Sequence, residues 1–200
     1  VSDLIVNLGG SAVLSEFPEL FGVEQEMILR CENKGLADTF VDLMRRYEKR
    51  AENDGTSMSA NPSPGNIKDG LITDAMKSCG ASLKGGSAPI QGVYDYPQVV
   101  TTKGLNLLCT PGNDVESTTA LAGAGAHLIL FSTGLGTPTG NPIIPVIKVS
   151  SNTVLSKRLE DIIDFNAGDI IDGKKSLDEL AEELLALCVE ACSGDYETKS

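Results

Sequence analysis

Apolar residues crowd into two short runs, 105–109 and 128–131, that alternate too little to be half-exposed strands. Both read as buried strands of a parallel sheet. Between them Asp114 stands as an N-cap, Val115, Thr118, Thr119 and Ala122 recur at helical spacing, and Gly123 and Gly125 break the pattern. The spacing predicts a strand-helix-strand unit with a right-handed, parallel crossover. Each run ends in small and turn-forming residues, 110–114 after the first and 132–140 after the second.

The same periodicities extend along the chain. Val1, Leu4, Ile5 and Leu8 make one helical stripe, stopped by Gly9 and Gly10, and residues 12–15 read as a short strand. Helices are predicted over 22–32 and 36–52, the second with Leu36, Phe40, Met44, Tyr47 and Ala51 on its apolar face and Arg45, Arg46, Lys49 and Arg50 on a solvated one. Residues 53–66 read as a loop, followed by a helix carrying Leu71, Ile72, Ala75, Met76 and Cys79. Residues 145–150 form another strand that runs into Ser151, Asn152 and Thr153. A turn-rich connection over 164–173 follows. Ser176 and Glu179 make a capping box for a last helix that turns Leu177, Leu180, Ala181, Leu184, Cys188 and Ala191 inward. The expected fold class is α/β, a mainly parallel sheet with flanking helices in a Rossmann-like three-layer arrangement, with residues 1–200 as a single domain.

Composition narrows the partners. A net charge of −12 over 200 residues repels polyanions, so neither nucleic acid nor an acidic membrane surface is expected as a partner. No apolar run approaches the roughly 20 residues of a membrane span. Five cysteines without a CxxC pair suit reduced thiols and a cytoplasmic location. The chain opens on Val1, inside a helical stripe, which fits a piece of a longer protein.

Strands sharing one parallel sheet would bring Glu16, Glu19, Thr110, Asp114, residues 133–139, Ser151 and Asn152 to one carboxyl edge, where such sheets bind ligands. Asn61, Ser63 and Asn66 in the proline-stiffened loop would converge there, and a helix amino terminus behind the loop could hold an anion. Hydroxyls, amides, carboxylates and glycine backbone suit a polar, hydroxylated, anionic small molecule. His127, the one histidine, heads a strand at its opposite end and reads as structural. No side chain has an evident reason to titrate near neutral pH, so a general base is not apparent.

The segments SEFPELFGVE, NPSPGN, SLKGGSAPI, KGLNLLCTPGNDVES, LILFSTGLGTPTGNPIIPVIKVSSNT and DFNAGDIIDG, in this order, resemble the carboxy-terminal region of the altronate and galactarate dehydratase family. The resemblance covers nearly the whole chain. It implies a hydro-lyase that removes water from a sugar acid to give a 2-keto-3-deoxy product, with a sulfolactate sulfo-lyase or a non-catalytic binding or assembly module as the alternatives. It also implies a divalent metal, iron(II), manganese or magnesium, and an amino-terminal portion of the same enzyme that supplies missing groups, so that the isolated domain is expected to be inactive. A homo-oligomer is left open. Carried over position by position, it assigns Glu16, Glu19 and Glu24 to the metal and Asn61, Ser63, Asn66, Lys84, Thr110, Asp114, Thr133, Gly134, Gly136 and Asn152 to the substrate. Gly112 shares the TPGND turn with Thr110 and Asp114. The chain departs from the family pattern at Gln25, where histidine is common, at Asn113 (tyrosine), at Leu135 (arginine) and at residues 73–75 (acidic residues).

Overall fold

A computed structural model describes residues 1–58, 62–68 and 70–199. The chain forms two compact units, Ser2–Ala124 and Gly125–Ser200, the latter joined by Val1. Each contains a wholly parallel three-stranded sheet flanked by helices, which agrees with the expected α/β class.

In the first unit α1 (Ser2–Asn7) leads into β1 (Ser11–Leu14), a 3-10 turn (Phe17–Leu20), α2 (Glu24–Arg30) and α3 (Lys34–Asn53). Then come α4 (Pro64–Lys68), α5 (Asp74–Leu83), β2 (Ile90–Tyr94), β3 (Gly104–Leu108) and α6 (Asp114–Gly123). The strand order is β1-β3-β2, with Ala12 opposite Leu105 and Val93 opposite Leu107. Leu105, Leu107 and Leu108 on the central strand are fully buried, as the largely apolar run 105–109 predicts. Leu105 and Leu107 pack with Leu14, Phe17, Leu20, Met27, Phe40 and Ile90, and the rings of Phe17 and Phe40 meet edge to face at 5.4 Å. Asn106, also fully buried, turns its amide onto the carbonyls of Thr102 and Gly104. Gly92 leaves room for it, because a Cβ there would lie 2.4 Å from Asn106 Oδ1.

The second unit holds β4 (Ile129–Thr133), β5 (Val146–Ser150), α7 (Thr153–Arg158), β6 (Phe165–Asn166) and α8 (Leu177–Ser193). Its order is β4-β5-β6. The capping box at Ser176 and Glu179 is present, and Cys188 and Ala191 of α8 pack against Ile147, although Leu177 is exposed. Lys148 in the centre of β5 is completely buried, its Nζ 3.8 Å from Asp164 Oδ2. Asp164 in turn accepts from the Lys148 N–H, the Tyr196 hydroxyl and the Lys199 N–H.

Several sequence expectations are corrected. The strands on either side of α6 do not share a sheet: β1 and β2 occupy both edges of β3, so β4 has no free edge there and pairs with β5 instead. As an edge strand, β4 is half exposed rather than buried. The cap of α6 is Asn113, whose Oδ1 accepts from the N–H groups of Val115 and Glu116, and Asp114 is the first helical residue. Helix α5 starts only after Thr73, which caps it, so Leu71 and Ile72 lie outside it. Its buried face is Ser78, Ala81 and Ser82, small residues that allow a close approach to the 3-10 turn. The strand β2 and the helix α7 were not predicted.

Candidate active site at the carboxyl end of the first sheet

Strand β1 delivers Glu16 into an unusual backbone conformation. Its φ of +66° is the one left-handed value at a non-glycine position among the described residues. An L-residue adopts this at a cost of roughly 1–2 kcal/mol, so the surroundings must hold it. Thr110, fully buried at the end of β3, does so: its Oγ1 accepts from the Glu16 N–H at 2.9 Å and its carbonyl from the Phe17 N–H at 3.2 Å. The Thr110 hydroxyl also lies 3.3 Å from Ser117 Oγ, which sits 3.0 Å from Ser15 Oγ. Thr110 is therefore committed to shaping the turn around Glu16.

The two glutamates of this turn live in opposite electrostatic environments. Glu19 bonds Lys77 Nζ at 3.1 Å through one oxygen and Lys84 Nζ at 3.0 Å through the other. Burial works against its charge, but Lys84 and Lys77 outweigh it and hold the carboxyl below its usual range. Glu16 has no such bridge among the described residues. Burial first, then the Glu19 carboxylate and Asp114, push it up to about 7, against the pull of Lys84 and Lys77. Two carboxyls three positions apart are thus split into one biased toward its charged form and one that exchanges its proton near neutral pH, the division of labour that acid-base chemistry uses. Sequence reasoning found no such group, because the burial that first raises Glu16 is a tertiary fact, although Glu19 stands only three positions away. It also missed Lys77, although its seven-residue spacing from Lys84 places both on one face of a helix.

The expected metal set does not assemble from these residues. Both oxygens of Glu19 already face ammonium groups, and a neutralised carboxylate between two cations is a poor dication ligand. Glu24, at the start of α2, accepts from the Gly22 N–H and borders an apolar groove of about 270 Å³ between α2 and α3, lined by Phe21, Ile28, Phe40 and Met44. Among the described residues no three His, Cys, Asp or Glu side chains converge as a metal would require.

The remaining candidates divide between the two units. Glu16, Glu19, Lys84, Thr110 and Asp114 gather at the carboxyl edge of the first sheet. Asn61 lies outside the described residues. Ser63 and Asn66 bond each other at the start of α4, with Ser63 Oγ 3.2 Å from Asn66 Oδ1. Thr133, Gly134, Gly136 and Asn152 belong to the carboxyl edge of the second sheet. There Thr133 Oγ1 accepts from the Gly136 N–H, and Asn152 Oδ1 caps α7 through the Leu155 N–H at 3.0 Å. A Cβ at Gly134 would meet none of the described residues within 4 Å, whereas one at Gly136 would fall 2.5 Å from Leu159. His127 is exposed. Two departures from the family pattern have structural uses, Asn113 capping α6 and Thr73 capping α5, while Gln25 and Leu135 are exposed.

Known proteins carry a similar stretch. The model of the family described as D-galactarate/altronate dehydratase, C-terminal, matches residues 1–200. The chain is 39% identical over 193 residues to altronate dehydratase of Escherichia coli strain K12, covering 96% of the chain and 39% of that protein. It is 38% identical over 193 residues to altronate dehydratase of Bacillus subtilis strain 168, again covering 96% of the chain and 39% of that protein. To the L-threo-forming galactarate dehydratase of Escherichia coli strain K12 it is 33% identical over 199 residues, 100% of the chain and 38% of that protein. The chain thus spans about two fifths of the length of these relatives. Matched from end to end, it belongs to the D-galactarate/altronate dehydratase family, in the part that the family model names carboxy-terminal.

Proposed function

We propose that this chain is the carboxy-terminal part of a hydro-lyase that removes water from a sugar acid of the altronate or galactarate type. The observation that carries the reading is the split pair at the end of β1, Glu16 poised near pH 7 beside a Glu19 neutralised by Lys77 and Lys84. Such a dehydration breaks a C–H bond next to the carboxylate, expels the neighbouring hydroxyl as water and leaves an enol that tautomerises to the 2-keto-3-deoxy acid. Glu16 in its ionised form takes the C–H proton. Once protonated, the same carboxyl donates to the departing hydroxyl, so the proton count closes without a second acid. In this reading Lys77 and Lys84, two cations against the single Glu19 carboxylate, offset part of the negative charge that builds on the substrate carboxylate. Groups from the rest of the longer enzyme complete the site, and any dication the reaction uses takes ligands beyond Glu16 and Glu19.

The test is turnover of altronate, galactarate and sulfolactate by the full-length protein and by its Glu16→Gln variant. Dehydration of a sugar acid that falls by about 10²-fold or more in the variant is the expected result. Desulfonation of sulfolactate alone would move the chain to the sulfo-lyase reaction. Turnover of none of the three would mark a non-catalytic module.

A further inference from the structure

Lys84 reaches Glu19 from the C-cap of α5, where the chain enters the loop 84–88. That loop is held from two sides. From α1, Asp3 Oδ1 accepts from the N–H groups of Ser87 and Ala88 at 2.9 and 3.1 Å, and Oδ2 from the Ser87 N–H and hydroxyl at 3.0 and 3.1 Å. Ser2 Oγ donates to the Lys84 carbonyl at 2.6 Å. From α2, Arg30 Nη2 donates to the carbonyls of Gly86 and Ala88. Gly86 sits at φ +70°, and a Cβ on it would fall 2.3 Å from Asp3 Oδ1, so the loop is moulded around that carboxylate. Burial works against the Asp3 charge, but the Ser87 and Ala88 donors outweigh it, and the group is held below its usual range. Successive N–H groups converging on one anion form a nest, here filled from within the chain.

We propose that Asp3 is a positioning residue for the Lys77–Glu19–Lys84 cluster: its carboxylate holds the loop in the shape that sets Lys84 over Glu19. The proposal deepens the hydro-lyase reading and rests on it for its catalytic meaning, since Asp3 touches neither Glu16 nor Glu19 and acts through the loop. The charge-assisted bonds it makes are the strong kind, so removing the carboxylate leaves the loop free to sample other shapes and Lys84 free to leave its partner.

A stability cycle without substrate tests it. Asp3→Asn, Lys84→Met and the double variant of the 200-residue chain are unfolded in urea. If Asp3 acts through Lys84, its replacement has an effect on the unfolding equilibrium constant about threefold or more smaller in the Lys84→Met background, whereas independent sites would add. Formate added to Asp3→Gly should restore the parent amide shifts of Ser87 and Ala88 and the coupling together. Should Asp3→Asn fail to fold, Ser87→Ala, which removes one donor to the same carboxylate, goes through the same cycle. Additive effects in the cycle overturn the proposal. Because no turnover is measured, loss of the hydro-lyase reading through an unaltered Glu16→Gln enzyme would leave this result standing, and the reverse also holds.

Discussion

The main-chain N–H of Glu16 donates to the side-chain hydroxyl of Thr110 at 2.9 Å, joining the carboxyl ends of β1 and β3 and fixing a left-handed backbone at the carboxyl with the most displaced proton affinity of its cluster. Thr110→Val keeps the shape and removes the acceptor. The Glu16 N–H is then orphaned beside a buried side chain, and stability should fall by about 1–3 kcal/mol. Urea unfolding with an unchanged slope and a lower midpoint is the expected record, and an unshifted midpoint would show that water replaces the hydroxyl.

Glu16 gives stability a dependence on pH with a definite sign. Its folded pKa, about 7, lies above the ordinary 4.5, so between these values the folded chain binds the proton that the unfolded chain has released. Its contribution is full below pH 4.5 and is lost as pH rises through 7. Glu16→Gln should therefore be more stable than the parent at pH 8 by roughly 1–3 kcal/mol, discounted for partial exposure, and nearly equal to it at pH 4.5. Glu19 has the opposite sign: its carboxyl is depressed, so its contribution is present above 4.5 and lost on acidification. Parallel stability profiles for parent and Glu16→Gln would contradict the raised pKa.

The buried pair of Lys148 and Asp164 should respond unequally to its two deletions. Asp164→Ala strands an ammonium with zero exposure and removes the acceptor for Tyr196 and Lys199, at a cost of about 3–5 kcal/mol. Lys148→Met keeps the aliphatic volume and leaves Asp164 three donors, so it should cost less. The Lys148 pKa is lowered by burial in spite of Asp164, which makes the folded state bind its proton less readily than the unfolded one and lets stability rise with pH on the alkaline side. Thermal midpoints of the two variants decide the ordering.

Two glycines should behave oppositely on replacement by alanine. At Gly92 the new methyl would meet Asn106 Oδ1 at 2.4 Å and the Tyr94 ring at 2.6 Å, and a loss of about 1–3 kcal/mol is expected. At Gly123, in the last turn of α6, nothing lies within 4 Å, and alanine should be neutral or stabilise by up to about 1 kcal/mol. Equal midpoints for the two variants would mean that β2 moves aside without cost.

What the sequence reveals and what it hides follows from the range of the forces involved. The runs 105–109 and 145–150 are recognisable as strands because both faces of β3 and β5 are covered, and the capping box at Ser176 is recognisable because it is local. Pairing is not local. Nothing in the spacing of 104–142 says that β3 already has two neighbours, and so the pattern alone suggests one sheet where the fold has two. The strand β2 was hidden because Gly92, needed to admit Asn106, breaks its apolar pattern. At the site, the motifs point to Glu16, Glu19, Lys84, Thr110 and Asp114, which gather at one sheet edge, but the local contacts of these side chains are not legible in the spacing. Thr110 shapes a turn, Glu19 is balanced by lysines, and Glu16 acquires its proton affinity through burial, the nearby Glu19 and, far along the chain, Asp114.

The register of the first sheet also governs the order of events as the protein is made. Strand β1, complete by Leu14, pairs in its sheet only with β3, which begins at Gly104. A ribosome adding about 5–20 residues per second leaves β1 without its partner for on the order of ten seconds, while α2, α3 and α5 can already coil. Through that interval the segment that later carries Glu16 is an unpaired apolar strand beside nascent helices, and the site closes only when Thr110 emerges and accepts its N–H.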